Sequence, residues 1–163
     1  MTPASYGSRV GAILLDWLFA VVPTILLFVF GIAWAFSETY FGIGIFFIVL
    51  GSIAWIGLNI WNKVFKEGKS GQSFGKARMK ISLVDTNSRQ PIGAGRAFLR
   101  EFVSYLLNTV SGGIFWLIDY LWPLWDQNNE RLMDKIMTTR VVTTTSLTRG
   151  APEPELDVTS SYS

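Results

Sequence analysis

The sequence predicts an α-helical integral membrane protein with two transmembrane helices, a third, broken apolar region and a small cytoplasmic β element. Half of its 163 residues are hydrophobic and 16% are charged, which is typical of membrane proteins. Two apolar runs are each long enough to cross a hydrocarbon core of about 30 Å. A third is interrupted by a Ser-Gly-Gly sequence. We expect one domain, residues 1–142, and a disordered polar tail, residues 143–163.

The first predicted span runs from Ser8 to Phe36. Between Val10 and Phe36 the one ionisable side chain is Asp16. Because a carboxylate near the bilayer centre costs roughly 2.5 to 3.5 kcal/mol on insertion scales, we expect Asp16 to face protein or water. The run is longer than the apolar core of a secretory signal peptide, so we expect it to remain uncleaved.

One stripe of this helix is small or polar. It comprises Ser5, Arg9, Ala12, Asp16, Ala20 and Pro23. Such a stripe lets a second helix approach closely and hydrogen-bond to it. The opposite face carries bulky residues that suit lipid: Ile13, Leu14, Leu18 and Val22. Two interpretations of Arg9 and Asp16 remain open, a structural packing seam or a proton- or ion-handling site.

The second predicted span covers about Phe41 to Trp61. Gly44, Gly51 and Asn62, which lies in the last turn, share one face, with Ser52 and Asn59 beside it. Glycines at this spacing permit close helix contact, most simply with the small stripe of the first span. Asn59 is therefore a secondary candidate for a functional polar residue.

The distribution of basic residues predicts the orientation. The connection between the spans, Ser37–Tyr40, contains no basic residue, whereas eight of the fourteen basic residues lie between Lys63 and Arg96. By the positive-inside rule, the N-terminus and this basic segment should be cytoplasmic and should face anionic lipid headgroups.

A short alternating run, Met79–Val84, followed by Asp85–Ser88, predicts a strand and a turn. Gln90–Ile92 is a candidate second strand. Since a two-stranded hairpin alone is marginal in water, Thr138–Thr144, rich in Thr and Val, is predicted to add a third.

The third apolar region, Ala97–Trp125, is split at Ser111–Gly113 into halves of about 13 residues. Each half is roughly 20 Å long as a helix, too short to cross a membrane alone. Its high aromatic content suits a membrane interface. We favour a re-entrant or interfacial helical hairpin, with one continuous tilted span as the alternative.

The segment Gly71–Gly75 matches the GxSxG pattern of a nucleophile elbow. The chain has no histidine and no cysteine, however, so histidine-dependent triads, Cys-His catalysis and the usual zinc sites are unavailable. We therefore expect no enzyme activity, no metal and no cofactor. The segment is instead a candidate headgroup-binding turn, with Lys69, Lys76 and Arg78 as its cations, or simply a solvated basic turn.

Three aspartates, Asp119, Asp126 and Asp134, follow one another late in the chain. Carboxylates in such a series are usually solvated, and Asp119 is a secondary candidate. Asp134 differs because it lies in a partly apolar segment, from which it could reach Arg9. If Asp16 also approaches Arg9, one of the two carboxylates would stay protonated.

Together these features resemble the RDD family of small bacterial membrane proteins. The resemblance covers residues 5–142 and is carried by Arg9, Asp16, Gly71–Lys76 before a strand, Asp134, Lys135, Val141 and Val142. The arginine and two aspartates that name the family would be Arg9, Asp16 and Asp134. Relatives often carry histidine before the closing aspartate, where this chain has Met133, which weakens a proton-relay role there.

The resemblance implies a bacterial cytoplasmic-membrane location and a transport-related role, since ion–proton exchange is proposed for some members. Two spans alone make a poor transporter, so we expect an oligomer that handles an ion, a proton or a small ligand. The alternative is an accessory or assembly subunit of a larger membrane complex. Expected partners are the lipid bilayer, its anionic headgroups and a further copy or partner membrane protein, with no nucleic acid.

Overall fold

The computed structural model describes residues 2–145. Their helices are α1 (Tyr6–Ala35), α2 (Phe41–Ile60), α3 (Glu67–Ser70), α4 (Phe74–Arg78), α5 (Gly93–Val110), α6 (Ile114–Leu121) and α7 (Leu132–Ile136). Two strands, β1 (Ile81–Asp85) and β2 (Thr139–Thr143), pair with each other. Most of the predicted tail, from residue 146, lies outside the described residues. Thr143, the first residue of the predicted tail, is the last residue of β2.

Helix α1 begins at the capping residue Ser5, whose hydroxyl accepts a hydrogen bond from the Ser8 amide at 3.3 Å. The predicted stripe is buried at Arg9, Ala12 and Ala20. The predicted lipid face is open, with Leu14, Leu18 and Val22 each about half exposed. Sequence periodicity therefore identified most of both faces, although Ser5 and Pro23 of the predicted stripe are exposed and Ile13 of the predicted lipid face is half-buried.

Helices α1 and α2 pack closely where glycines meet. A Cβ atom on Gly44 would lie 2.4 Å from the Ala35 amide nitrogen, and one on Gly31 would lie 3.0 Å from the Gly44 carbonyl oxygen. No side chain fits into either gap. The predicted glycine face of the second span is thus the contact with α1.

The second long helix does not end at Trp61. A π-helical stretch, Trp61–Lys66, joins α2 directly to α3, so that one helix runs from Phe41 to Ser70. Such stretches change the direction in which side chains point and occur often at functional sites. Here the stretch contains Asn62, which is buried. By length and composition, both long helices, Tyr6–Ala35 and Phe41–Ser70, are compatible with membrane spans.

Strands β1 and β2 are antiparallel, with Ile81 opposite Thr143 and Asp85 opposite Thr139. The predicted pairing of these two segments is confirmed. The predicted strand at Gln90–Ile92 is wrong, because this segment forms no ladder and its Ile92 packs into the core. The free edge of β2 is instead covered by the N-terminus, where the Ala4 amide donates to the Val141 carbonyl at 3.0 Å.

The third apolar region is broken as predicted, at Ser111–Gly113, where Gly112 and Gly113 have φ of 60° and 90°. Helix α5 starts at Gly93, so at 18 residues it is longer than expected. The Trp116 amide of α6 donates to the Asn108 side chain of α5 at 3.2 Å, which holds the two helices together as a hairpin. The region is not one continuous helix, because Ser111–Gly113 separates α5 from α6.

A small apolar core lies beneath the sheet. It consists of Ala4, Ala12, Ile81, Leu83, Ile92, Ala97 and Val141, with Met79 packed against it. This core joins the first residues of the chain, α1, the sheet and α5 into one unit. It therefore fixes the polar groups described next against one end of the two long helices.

Candidate functional site

Asp134 is the centre of a buried cluster of charges. One carboxylate oxygen, Oδ2, accepts a hydrogen bond from Arg9 Nη1 at 2.9 Å, and the other, Oδ1, accepts one from Arg100 Nη2 at 2.6 Å. The Asp134 side chain is 0% exposed. Arg9 also donates to the Val141 carbonyl at 3.1 Å. The contacts tie together the start of α1, the middle of α5, helix α7 and strand β2.

The electrostatics of Asp134 follow from these neighbours. Burial favours the neutral acid, but the guanidinium groups of Arg100, Arg131 and Arg9 outweigh it and lower the pKa of Asp134 to about 2. The Arg131 amide adds a hydrogen bond to Oδ2 at 3.2 Å. Asp134 is therefore ionised at neutral pH.

The cluster continues through Arg100 to the end of the second long helix. Arg100 Nη1 lies 3.7 Å from Glu67 Oε1, and Glu67 also pairs with Lys76. Glu67 is 4% exposed. Burial lowers the pKa of Lys76, and the charge of Glu67 opposes that shift. Arg100 Nε has no hydrogen-bond partner among the described residues.

Asp119 of α6 forms a second buried pair next to the first. Its Oδ2 accepts from Arg131 Nε at 3.1 Å, and its Oδ1 accepts from the Met133 amide at 2.7 Å. The guanidinium of Arg131 also lies 4.1 Å from the centre of the Tyr120 ring. This pair attaches the hairpin of α5 and α6 to α7.

Asp16 has a different environment. Its Oδ1 accepts from Asn62 Nδ2 at 2.8 Å and from the Gly75 amide at 2.7 Å, and its Oδ2 accepts from the Ser73 hydroxyl at 2.5 Å. All three donors are neutral. Asp16 forms no ion pair within the part of the chain that the structure describes.

These contacts cap the short helix α4. The first three amides of α4 are bonded in turn to Asn62 Oδ1 at 2.8 Å, to Asp16 and to Ser73 Oγ at 3.3 Å. A Cβ atom on Gly75 would lie 1.9 Å from the Ala12 carbonyl oxygen. The glycine thus lets α4 lie directly against α1, and this contact brings Asp16 within reach of the α4 amides.

Within residues 2–145 there is no group of three carboxylate, histidine or cysteine side chains that could hold a metal ion. Asp134, Asp119 and Glu67 each lie beside a cationic side chain, whereas Asp16 does not. The arrangement can hold elements together and can offer one carboxylate that lacks a cationic partner.

The sequence that contains this network matches the model of a known protein family. The RDD family model matches residues 3–138, which is nearly the whole described chain. The protein belongs to the RDD family. It is accordingly a membrane-associated protein with two apolar helices compatible with membrane spans.

Two curated relatives of this RDD protein are mycobacterial. The proline-rich antigen homolog of Mycobacterium tuberculosis is 33% identical over 90 residues, 55% of this chain and 34% of the relative. The proline-rich antigen of Mycobacterium leprae is 35% identical over 80 residues, 49% of this chain and 30% of the relative. The chain therefore spans about a third of the length of these relatives. No solved structure matches it significantly.

The structure brings together two of the three expected RDD residues. Arg9 binds Asp134, as the sequence predicted. The prediction that Asp16 also approaches Arg9 is wrong. Both carboxylate oxygens of Asp16 instead accept hydrogen bonds from Asn62, Ser73 and Gly75. The hypothesis that one carboxylate stays protonated by competition for Arg9 falls with it.

Three further expectations need correction. Asp119 is buried and paired rather than solvated. Asn59 donates to the Trp55 carbonyl of its own helix and has no cross-helix partner among the described residues. Lys76 is half-buried and its ammonium group already pairs with Glu67, whereas Lys69 and Arg78 are exposed.

Sequence reasoning missed three members of the polar network, namely Glu67, Ser73 and Arg100, and the partner of a fourth, Asn62. Arg100 carried a usable signal, because it is a charge within an otherwise apolar region. Ser73 lies inside the Gly71–Lys76 stretch, whose sequence resembles a nucleophile elbow or a headgroup-binding turn and does not point to Asp16. The sequence places Asn62 on the glycine face that meets the first span, but its contact with Asp16 depends on the π-helical stretch, for which the sequence offers no signal.

Proposed function

We propose that this RDD protein is a non-enzymatic, multi-pass protein of the bacterial cytoplasmic membrane. Helices Tyr6–Ala35 and Phe41–Ser70 would cross the bilayer, and the connection Ser37–Tyr40, without basic residues, would face outward. The sheet and the buried charge cluster would then lie on the cytoplasmic side. The basic segment Lys63–Arg96 supports this orientation and would face anionic headgroups, with exposed Lys69 and Arg78 as contacts.

The hairpin of α5 and α6 would lie in the cytoplasmic leaflet rather than cross the membrane. Its large apolar side chains are mainly exposed, including Phe98, Phe102, Val110 and Trp116. Exposed apolar surface of this extent marks a lipid or protein contact. At eight residues, α6 is about 12 Å long, which is too short to span.

Within this framework we propose a transport-related function in which Asp16 binds a proton or a cation. The observation that carries the proposal is that this carboxylate lies within a candidate span and has neutral donors instead of a cation. Such residues in transmembrane segments commonly belong to ion or proton pathways. The Arg9–Asp134 pair would be structural.

The two oxygens of Asp16 differ in a way that suits protonation. Oδ1 accepts hydrogen bonds from the Gly75 amide and the Asn62 side-chain amide, and these N–H groups can donate but cannot accept a hydrogen bond. Oδ2 has the Ser73 hydroxyl as its partner, and a hydroxyl can accept as well as donate. A proton placed on Oδ2 would therefore keep all three hydrogen bonds once the Ser73 hydroxyl turns.

An oligomer would complete the pathway. A groove of about 460 Å³ lies between the long helices and is open to the side. Its lining residues are Trp17, Val21, Thr24, Ile25, Phe28, Ser52, Trp55 and Ile56. A second copy of the chain packed against this face would enclose the groove, whereas in a single copy the groove would be open to lipid.

The test is proton and cation flux in vesicles reconstituted with the purified chain. We expect an imposed Na⁺ or K⁺ gradient to move protons, and Asp16→Asn to abolish that movement. Asparagine can keep the contacts to Gly75, Asn62 and Ser73, so the variant should still fold. Glu38→Gln is the matched control, because Glu38 is an exposed carboxylate in the connection. Absence of flux, or equal flux in the Asp16 variant, would contradict the proposal.

A second candidate function is an accessory or assembly subunit of a larger membrane complex. The observation that favours it is that the buried charges other than Asp16 form ion pairs, which suits a structural role in holding the helices and the sheet together. Purification in a mild detergent should then yield a second membrane protein in fixed ratio. A homogeneous homo-oligomer without another protein would favour the transport proposal instead.

A further inference from the structure

Two cationic side chains share one aromatic ring at the end of the second long helix. Lys66 Nζ lies 5.3 Å from the centre of the Phe74 ring, and Arg78 Cζ lies 5.4 Å from it. Phe19 of α1 stacks on the same ring at 4.8 Å. These four residues form a cluster that we call the basic-aromatic cluster. It is separate from the buried network around Asp134.

The two cations of this cluster lack an anion. Because both lie over the same ring, they are within about 11 Å of each other. Within residues 2–145 neither forms an ion pair with a carboxylate, whereas nearby Lys76 is taken by Glu67. Cation–π contacts compensate part of the charge but leave the repulsion between two like charges. An anion placed between them would remove that repulsion.

The surroundings of the cluster are apolar and open. Trp61 and Phe65, on the same helical segment, are each 50% exposed. Lys66 Nζ also lies 5.8 Å from the Trp61 ring. An aromatic side chain with a cation at its polar end is the arrangement expected where a span leaves the hydrocarbon for the headgroup layer.

We propose that the phosphate of an anionic phospholipid binds between Lys66 and Arg78, with its glycerol and acyl chains along Trp61 and Phe65. The proposal rests on the membrane placement given under the proposed function. The guanidinium and ammonium groups supply charge-assisted hydrogen bonds to phosphate oxygens. A lipid fits better than soluble phosphate, because a soluble ion would leave the exposed aromatic surface unused.

Occupation of this site would hold α4 in place. Phe74 begins α4, and its amide is bonded to Asn62 beside Asp16. A lipid held over Phe74 would thus strengthen the contact between α4 and the two long helices. The site lies one residue from Ser73, the hydroxyl partner of Asp16.

The experiment measures binding of fluorescent phosphatidylglycerol to the purified full chain in a neutral detergent. We expect saturable binding that is roughly tenfold or more weaker in the double variant Lys66→Gln, Arg78→Gln. The matched control, Lys80→Gln, Arg89→Gln, removes the same charge from exposed residues outside the cluster and should bind within about twofold of the parent chain. Fluorescent phosphatidylcholine should bind far more weakly than phosphatidylglycerol.

Three outcomes would overturn the proposal. Equal weakening in both double variants would mean a general charge effect, and unchanged binding in the Lys66, Arg78 variant would mean another site. Displacement by millimolar inorganic phosphate as effective as by unlabelled lipid would mean a soluble-phosphate site. Circular dichroism of each variant verifies folding. Binding in micelles requires neither flux nor orientation, so failure here is distinguishable from failure of the transport proposal.

Discussion

Arg9 and Asp134 are 125 positions apart in the chain and form a buried ion pair of 2.9 Å. The pair closes the fold, because it joins the first turn of α1 to α7 and the adjacent sheet. Arg100 shares the same carboxylate from the opposite oxygen. A buried charge is tolerated when it is paired and hydrogen-bonded, and the removal of one partner leaves the others uncompensated.

Asp134→Ala should therefore be strongly destabilising, because it leaves the guanidinium groups of Arg9 and Arg100 buried without their carboxylate. We expect a loss of roughly 3 to 5 kcal/mol in the free energy of unfolding. Denaturant titration in a nonionic detergent measures this loss. The control is Glu38→Ala, an exposed carboxylate that should change stability by less than about 0.5 kcal/mol. Similar losses in both variants would disprove the bracing role.

The Arg9–Asp134 contact could be predicted because both charges lie in apolar surroundings and have few possible partners. For Asp16, the sequence places Asn62 on the face of the second span that meets the first, but it does not predict the hydrogen bonds of Asp16 themselves. Asn62 reaches it through a π-helical stretch, and Ser73 reaches it because Gly75 allows α4 to touch α1. Lys76 was misassigned for a related reason, since its exposure is decided by Glu67, which arrives from another helix. A contact between two charges in apolar segments can thus be predicted from the sequence. A contact that depends on local backbone geometry, such as a π-helical stretch, cannot.

Gly75→Ala should separate α4 from α1. The added Cβ would meet the Ala12 carbonyl at 1.9 Å, a backbone atom that cannot move without shifting α1. We expect a loss of at least about 3 kcal/mol or failure to fold. The matched control is Gly57→Ala, where the added Cβ meets open space within α2. Alanine there should be neutral or stabilise by up to about 1 kcal/mol, and thermal unfolding of both variants compares them directly.

Stability should fall in acid between about pH 4 and pH 2. The Ser88 amide, the Arg96 guanidinium and the Asn87 amide lower the pKa of Asp85 to about 2, as the arginines do for Asp134. Carboxylates with lowered pKa favour the folded state above their ordinary pKa, about 3.9. Below it the unfolded chain takes up protons first, so the free energy of unfolding decreases.

The measurement is the midpoint of thermal unfolding from pH 7 to pH 2 in a nonionic detergent. Asp85→Asn should be less stable than the parent chain at pH 7 and should lose less stability on acidification. Glu38→Gln serves as the control, because it should retain the pH dependence of the parent chain. A parent chain whose midpoint stays constant down to pH 2 would contradict the role of both carboxylates.

Membrane orientation can be tested with single cysteines, because the chain has none of its own. We expect Thr39→Cys, in the connection between the long helices, to react with an impermeant maleimide added to intact cells. Ser88→Cys and Asn128→Cys should react with the maleimide only after the cells are permeabilised. Both flank the α5–α6 hairpin, and β1 pairs with β2 beyond them, so they must lie on one side. Labelling of Ser88→Cys and Asn128→Cys from opposite sides would disprove the hairpin, and labelling of both from outside would reverse the orientation.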